Sequence, residues 1–154
     1  MNNLTFGNAH RQYYETICSG APAGPGFDGV AAVHTHMTNT RMTDPEILEN
    51  RYPAVLDEFS IDRGSGGAGQ STAGDGVTRR IRFLEEMECS ILSDHGAVAP
   101  VGMLGGESGR VGANWVERAD GSREELAGCA QTRLMPGDTI GIRTPTGGGF
   151  EKRD

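Results

Sequence analysis

Glycine fills 24 of the 154 positions, and this restricts what the chain can become more than any other feature. The usual level is about 7%. No G-X-Y period and no low-complexity tract accompanies it, so a collagen-like or simply disordered chain is a poor fit. Glycines in short clusters imply many tight turns and several backbone positions at positive φ. Such a chain favours short strands joined by long, structured loops. The length suits one ordinary domain with a modest core. With 36% hydrophobic and 6% aromatic residues, that core has few large side chains to draw on.

Period-two alternation supports this reading. Residues 55–63 place Phe59 and Ile61 on one face, with Glu58, Ser60 and Asp62 on the other. Residues 77–84 alternate Val77, Ile81 and Phe83 with Thr78, Arg80 and Arg82. Met87, Cys89 and Ile91 alternate with Glu88 and Ser90. Residues 115–118 and 123–126 flank Ala119-Asp120-Gly121-Ser122, a hairpin signal in which both central turn residues are expected at positive φ. Pro136-Gly137-Asp138 forms another turn before a strand at 139–143. About six short strands at near-regular spacing indicate a mainly β fold with one or two short helices, its antiparallel strands joined by glycine-rich loops. Residues 1–29 read as an irregular lead-in, 30–150 as the β-rich body and 151–154 as a solvated charged tail. Within the body, residues 30–34 suit a short buried strand. Thr43-Asp44-Pro45-Glu46 reads as a capping box, with the Thr43 hydroxyl accepting from the Glu46 amide. Pro45 suits the first turn, and Pro53 stops the helix after about two turns.

The formal net charge is −7 and the sequence pI about 5.1, which leaves no basic face for a nucleic-acid backbone. Arg79, Arg80 and Arg82 are followed at once by Glu85, Glu86 and Glu88, as on a solvated strand surface. No stretch of about 18 apolar residues is present to span a membrane, and the first residues lack the pattern of a secretory signal. Cys18, Cys89 and Cys129 are odd in number and far apart, with no C-x-x-C. That argues against a disulfide framework or a zinc knuckle and for a reducing, cytoplasmic setting.

Individual motifs carry less. Gly64, Gly66 and Gly69 match G-x-G-x-x-G, but Gln70 to Gly76 cannot open the long helix a dinucleotide site requires. A structural glycine loop is the better reading. A ligand role for Gly64, Ser65, Gly66, Gly67, Gly69 and Asp75 would rest on backbone N–H groups forming an anion nest. No G-x-x-x-x-G-K-[ST] occurs. His34 and His36 share one face of an extended segment, and Asp44 offers an oxygen ligand. Two convincing ligands are too few for a metal site, so a hydrogen-bonded histidine pair is preferred. His10 and His95 join them only if the tertiary fold brings them close. Asn39 and Arg41 could hold a carboxylate or amide of a substrate, and serve equally well as turn-forming polar residues. Tyr13-Tyr14-Glu15 reads as packing, with Glu15 a weak candidate. Ser65 and Ser71 have no histidine nearby to activate them. No residue is assigned a catalytic role.

The succession of segments says more than any one of them. YYETICSGAPAGPGFDG at 13–29, HTHMTNTRMTDPEILENRYP at 34–53, RGSGGAG at 63–69, AGDGVTRRIRFLE at 73–85, PVGMLGGESG at 100–109 and PGDTIGIRTPTGGGF at 136–150 follow in order. Together they resemble the C-terminal end of the hydantoinase B/5-oxoprolinase family, over nearly the whole chain. The resemblance implies residues 1–154 of a larger α+β protein that hydrolyses cyclic amides with ATP. In its 5-oxoprolinase branch, 5-oxo-L-proline becomes L-glutamate, a step of glutathione metabolism. Phosphorylation of the amide oxygen would make an unreactive lactam carbon electrophilic enough for water. The resemblance assigns ATP to a hydantoinase A-type part and a divalent metal to the N-terminal hydantoinase B part. It makes those parts the partners of this chain, in an oligomer. No family metal ligand matches a residue here, so this chain alone is expected to bind neither ATP nor metal and to be inactive.

Three positions depart from the family pattern. Gln70-Ser71-Thr72 replaces a more basic stretch, Asp94-His95-Gly96 stands where relatives carry an arginine, and Thr146 replaces a glycine. Starting at Met1 near the family's closing section, the chain is expected to be a truncated gene product, a split product or an isolated terminal domain. Its contribution would be scaffold and interface, with loops 34–43 and 64–76 lining a substrate cavity. A hydantoinase- or carboxylase-type relative with another substrate, or a non-catalytic interaction module or remnant, are the alternatives.

Overall fold

The computed structural model describes residues 1–35, 38 and 40–153. Among them run β1 (Asn2–Gly7), β2 (Gln12–Ile17), α1 (Pro45–Arg51), β3 (Ala54–Ile61), β4 (Val77–Phe83), β5 (Met87–Ser93), β6 (Ala113–Glu117), β7 (Arg123–Leu126), β8 (Cys129–Leu134) and β9 (Thr139–Arg143). They form two antiparallel sheets, ordered β2-β1-β5-β8 and β3-β4-β9-β6-β7. The mainly β expectation with a short helix holds.

Alternation makes the core. β1 buries Leu4 and Phe6, β5 buries Met87, Cys89 and Ile91, and β4 buries Val77, Ile81 and Phe83. Phe6 of one sheet meets Phe83 of the other edge-on, with ring centroids 5.0 Å apart. Each fully buried side chain of this size contributes roughly 1.5–3 kcal/mol. In β3 the register shifts between Leu56 and Glu58, leaving Asp57 as an extra residue. The bulge lets Phe59 pair opposite Arg79 and Ile61 opposite Val77.

Several expectations are corrected. Residues 1–29 are not an irregular lead-in, because β1 and β2 occupy 2–7 and 12–17. The glycines and prolines that suggested irregularity all lie beyond β2. β8 adds a further strand unmarked by hydrophobic alternation, since it is a sheet edge that fully buries only Leu134. Residues 30–34 are not a buried strand: Val30 is 61% exposed, and Val33 makes only an isolated bridge to Ser19. The helix cap is Asp44 rather than Thr43, its carboxylate accepting from the Glu46 amide at 3.0 Å. In the β6–β7 turn only Gly121 has positive φ, at 85°. The Gly121 amide donates to Arg118 O, and the Arg118 amide to Ser122 O, a three-residue hairpin loop closed by a left-handed glycine.

The glycines serve chiefly to let main chains approach. Only five, including Gly121, have positive φ. A Cβ added at Gly74 would lie 2.1 Å from Val30 O, and one at Gly147 would lie 2.2 Å from Ala21 O. One at Gly149 would lie 2.2 Å from Ala68 O. Segments 20–33, 63–76, 100–110 and 144–152 thus pack backbone on backbone beside the sheets. Residues 151–153 are exposed, as a solvated tail would be, yet tied to this layer: the Glu151 amide donates to Met103 O, and Arg153 Nε to Gly69 O at 3.1 Å.

Candidate functional site

β2 delivers Cys18 into the interior at its C-terminal end, and the Ser19–Val33 bridge brings the returning chain alongside, placing His34 next to Cys18. Two cavities meet there. One, of about 310 Å³, is walled by Cys18, His34, Arg41 and Met42 together with Phe59 and Ile61 of β3. The β3 bulge sets those last two side chains in place. The other, of about 320 Å³, is bounded by Thr16, Cys18, His34, Thr38, Asp94 and His95. Nε2 of His34 is buried and has no hydrogen-bond partner among the described residues. Burial pushes the Cys18 thiol above its ordinary range, so it offers a neutral, apolar wall rather than a thiolate.

Of the substrate-loop candidates, the fold brings His34 and Arg41 to one cavity. His36 and Asn39 lie outside the described residues. Asp44 is elsewhere, exposed and committed to capping α1. His95 lies on the neighbouring cavity, while His10 sits in the exposed β1–β2 turn. Among the described residues no three His, Cys, Asp or Glu side chains gather as a metal would need, so they do not fit a divalent ion.

The 64–69 loop does form a nest of amides, and the chain's own carboxylate fills it. Asp75 accepts from the Ser65 amide at 2.7 Å, the Gly66 amide at 2.9 Å and the Gly64 amide at 3.1 Å. Burial alone would raise this carboxyl's pKa, but those three amides outweigh it and hold the group below its ordinary range. Gly67 and Gly69 are closed by backbone: a Cβ there would meet Glu107 O at 2.4 Å and Phe150 O at 2.5 Å. Ser71 pairs with Phe150, and the Ser65 hydroxyl accepts from the Gly76 amide. With its donors engaged in this way, the loop does not fit a nucleotide phosphate.

Arg79 is not on a solvated surface. It is 2% exposed, and it reaches from β4 across the core to Glu15 of β2. Nε donates to Oε1 at 2.7 Å and Nη2 to Oε2 at 3.0 Å, while the Tyr13 hydroxyl donates to Oε2 at 2.8 Å. The guanidinium also lies 5.3 Å from the centroid of the Phe59 ring, the same ring that walls the cavity. The signal was present, since Arg79 shares its period-two face with Val77, Ile81 and Phe83. Burial pushes the Tyr13 pKa up to about 12.

This arrangement is a two-sheet β unit with a glycine-packed flank, and the same fold occurs within larger solved structures. The ATP-dependent caprolactamase from Pseudomonas jessenii superposes with a TM-score of 0.73 at 21% identity, over 97% of this chain and 28% of that one. A nucleotide-free acetone carboxylase gives 0.79 at 16% identity, over 98% and 25%. The sequence profile of Hydantoinase B/oxoprolinase matches residues 1–153, and the chain belongs to that family. The 5-oxoprolinase of Dictyostelium discoideum is 47% identical over 154 residues, which is 100% of this chain and 12% of that protein. The chain therefore corresponds to a small part of a larger protein.

Proposed function

We propose that this chain is the closing structural part of an ATP-dependent 5-oxoprolinase-like enzyme that opens 5-oxo-L-proline to L-glutamate in the cytoplasm. The observation that carries this reading is the 47% identity that runs through the whole chain yet spans only 12% of the relative named 5-oxoprolinase. ATP and a divalent metal would be handled by a hydantoinase A-type part and an N-terminal hydantoinase B part, and this chain would supply scaffold and interface in the oligomer. Val98, Val101 and Leu104 support the interface role, at 70%, 70% and 69% exposed beside the glycine layer. Apolar groups presented in this way suit contact with further polypeptide.

A second reading keeps the family and changes the substrate to another lactam, a hydantoin or a carboxylation substrate. The caprolactamase and acetone carboxylase likenesses favour it. The deciding experiment reconstitutes the chain with both missing parts and follows ATP-dependent turnover of 5-oxo-L-proline, hydantoin, caprolactam and acetone. Selective release of L-glutamate supports the first reading. Selective turnover of another substrate replaces it with the second.

A further inference from the structure

We infer that the open edge of β3, over residues 57–61, is a docking site for an extended strand of the remaining hydantoinase B-type polypeptide, one with apolar side chains at alternate positions. The inference rests on the proposed function for the partner, while the surface is read from this chain.

β3 ends its sheet, with β4 on one side only. The Asp62 amide donates to Gly76 O, which sets the alternation of the antiparallel ladder. Residues 58 and 60 then bond to β4, and Phe59 and Ile61 turn their amides to the open side. Neither of these two amides donates to other main chain among the described residues. The start of the edge is closed instead, because the Leu56 amide donates to Glu49 Oε1 of α1 at 2.9 Å. Sheet edges are ordinarily guarded by polar and charged side chains. β7 follows that rule with Arg123, Glu124 and Glu125, and β8 with Gln131 and Arg133. On β3 the acidic Asp57 and Glu58 are drawn to Arg82 and Arg80 of β4, at 3.2 and 3.8 Å. What remains on the edge is apolar. Phe59 and Ile61 are 44% and 40% exposed, and both wall the cavity of about 310 Å³ with Cys18, Met42 and Val77. A strand laid along this edge would gain main-chain hydrogen bonds at 59 and 61 and set alternate side chains over that cavity. The occupant follows from the polypeptide outside this chain, which makes up only 12% of the Dictyostelium relative and 28% and 25% of the two solved ones. A second copy fits less well, since each copy carries a net charge of −7 and the two would repel.

The test mixes the full chain with the remaining hydantoinase B-type part and follows binding together with amide-resolved hydrogen exchange. In the free chain the amides of Phe59 and Ile61 should exchange rapidly, while β4 slows those of Glu58 and Ser60. On mixing, exchange at 59 and 61 should slow by at least about tenfold. Ile61→Pro removes an N–H that β4 does not use, so the chain should fold normally yet bind at least about tenfold more weakly. Phe59→Lys places a charge on the edge and should weaken binding likewise, which keeps the test valid if proline disturbs the strand. Leu92→Lys, at an exposed position of β5, should bind as the unaltered chain does. Binding with unchanged exchange at 59 and 61, or with full affinity in both edge variants, would overturn the inference and leave the family role intact. Slowing of these amides by raising the concentration of the chain alone would also overturn it, making the occupant a second copy. Absence of any binding would overturn the inference together with the proposed function beneath it.

Discussion

Arg79 and Glu15 face each other across the core at 2.7 and 3.0 Å with almost no access to water. Removing one partner leaves the other charge buried and uncompensated, so Arg79→Ala should lower unfolding stability by about 3–5 kcal/mol in urea denaturation. Replacing both, as Arg79→Met with Glu15→Leu, should cost much less. Tyr13 carries a matching signature at high pH. Its folded pKa of about 12 exceeds the ordinary 10.0, so its contribution is complete below pH 10 and disappears as pH rises toward 12. Ultraviolet titration should show one phenol that ionises only near that upper value or on unfolding. Asp75 acts in the opposite direction. Its folded pKa lies below 3.8, so its contribution is present above that pH and is lost as the medium becomes more acidic than 3.8. Asp75→Ala leaves three amides without their acceptor and should cost about 1–3 kcal/mol at pH 7, with a flatter acid limb in the stability profile.

Two glycines separate the two uses of that residue at the scale of the element. Gly121 has φ at 85° with open space around its would-be Cβ, so Gly121→Ala carries only the left-handed penalty of roughly 1–2 kcal/mol. Gly74 is blocked by Val30 O at 2.1 Å, so Gly74→Ala must displace a main-chain segment and should cost about 3 kcal/mol or more. Comparison of the two by thermal unfolding checks whether backbone contact, rather than turn geometry, explains the composition. Alternating polarity made β3, β4 and β5 legible in the sequence, whereas β6, β7 and β9 were legible from the turns beside them, Asp120-Gly121 and Pro136-Gly137-Asp138. β1 carries the same alternation, Leu4 and Phe6 buried on either side of Thr5, but it is short and was overshadowed by the glycines and prolines of 20–29; β2 breaks the pattern by burying Glu15, and β8 lies at an edge. The glycine layer could not be read from periodicity, since residues without side chains leave no alternation to follow. His34 and Arg41 were legible as candidates, but their shared cavity depends on the β3 bulge and the Ser19–Val33 bridge. Arg79 was misplaced because a charge on a strand reads as solvent-facing until a buried partner is known.

Across the whole molecule, two sheets make a small apolar core, an ion pair ties them together, and a flank of close-packed backbone stiffens one side. Residues able to hold a metal do not converge among those described, and the amide nest of the 64–69 loop is filled by Asp75. Under the proposed function, this unit would shape and support a larger enzyme. The central claim is tested most directly by adding this chain in increasing amounts to the remaining hydantoinase A- and B-type parts and measuring ATP-dependent L-glutamate release from 5-oxo-L-proline. The account predicts no release by the chain alone, little by the other parts alone, and a rise that saturates at one equivalent of the chain. Release by the chain alone, or a rate indifferent to its addition, would contradict it.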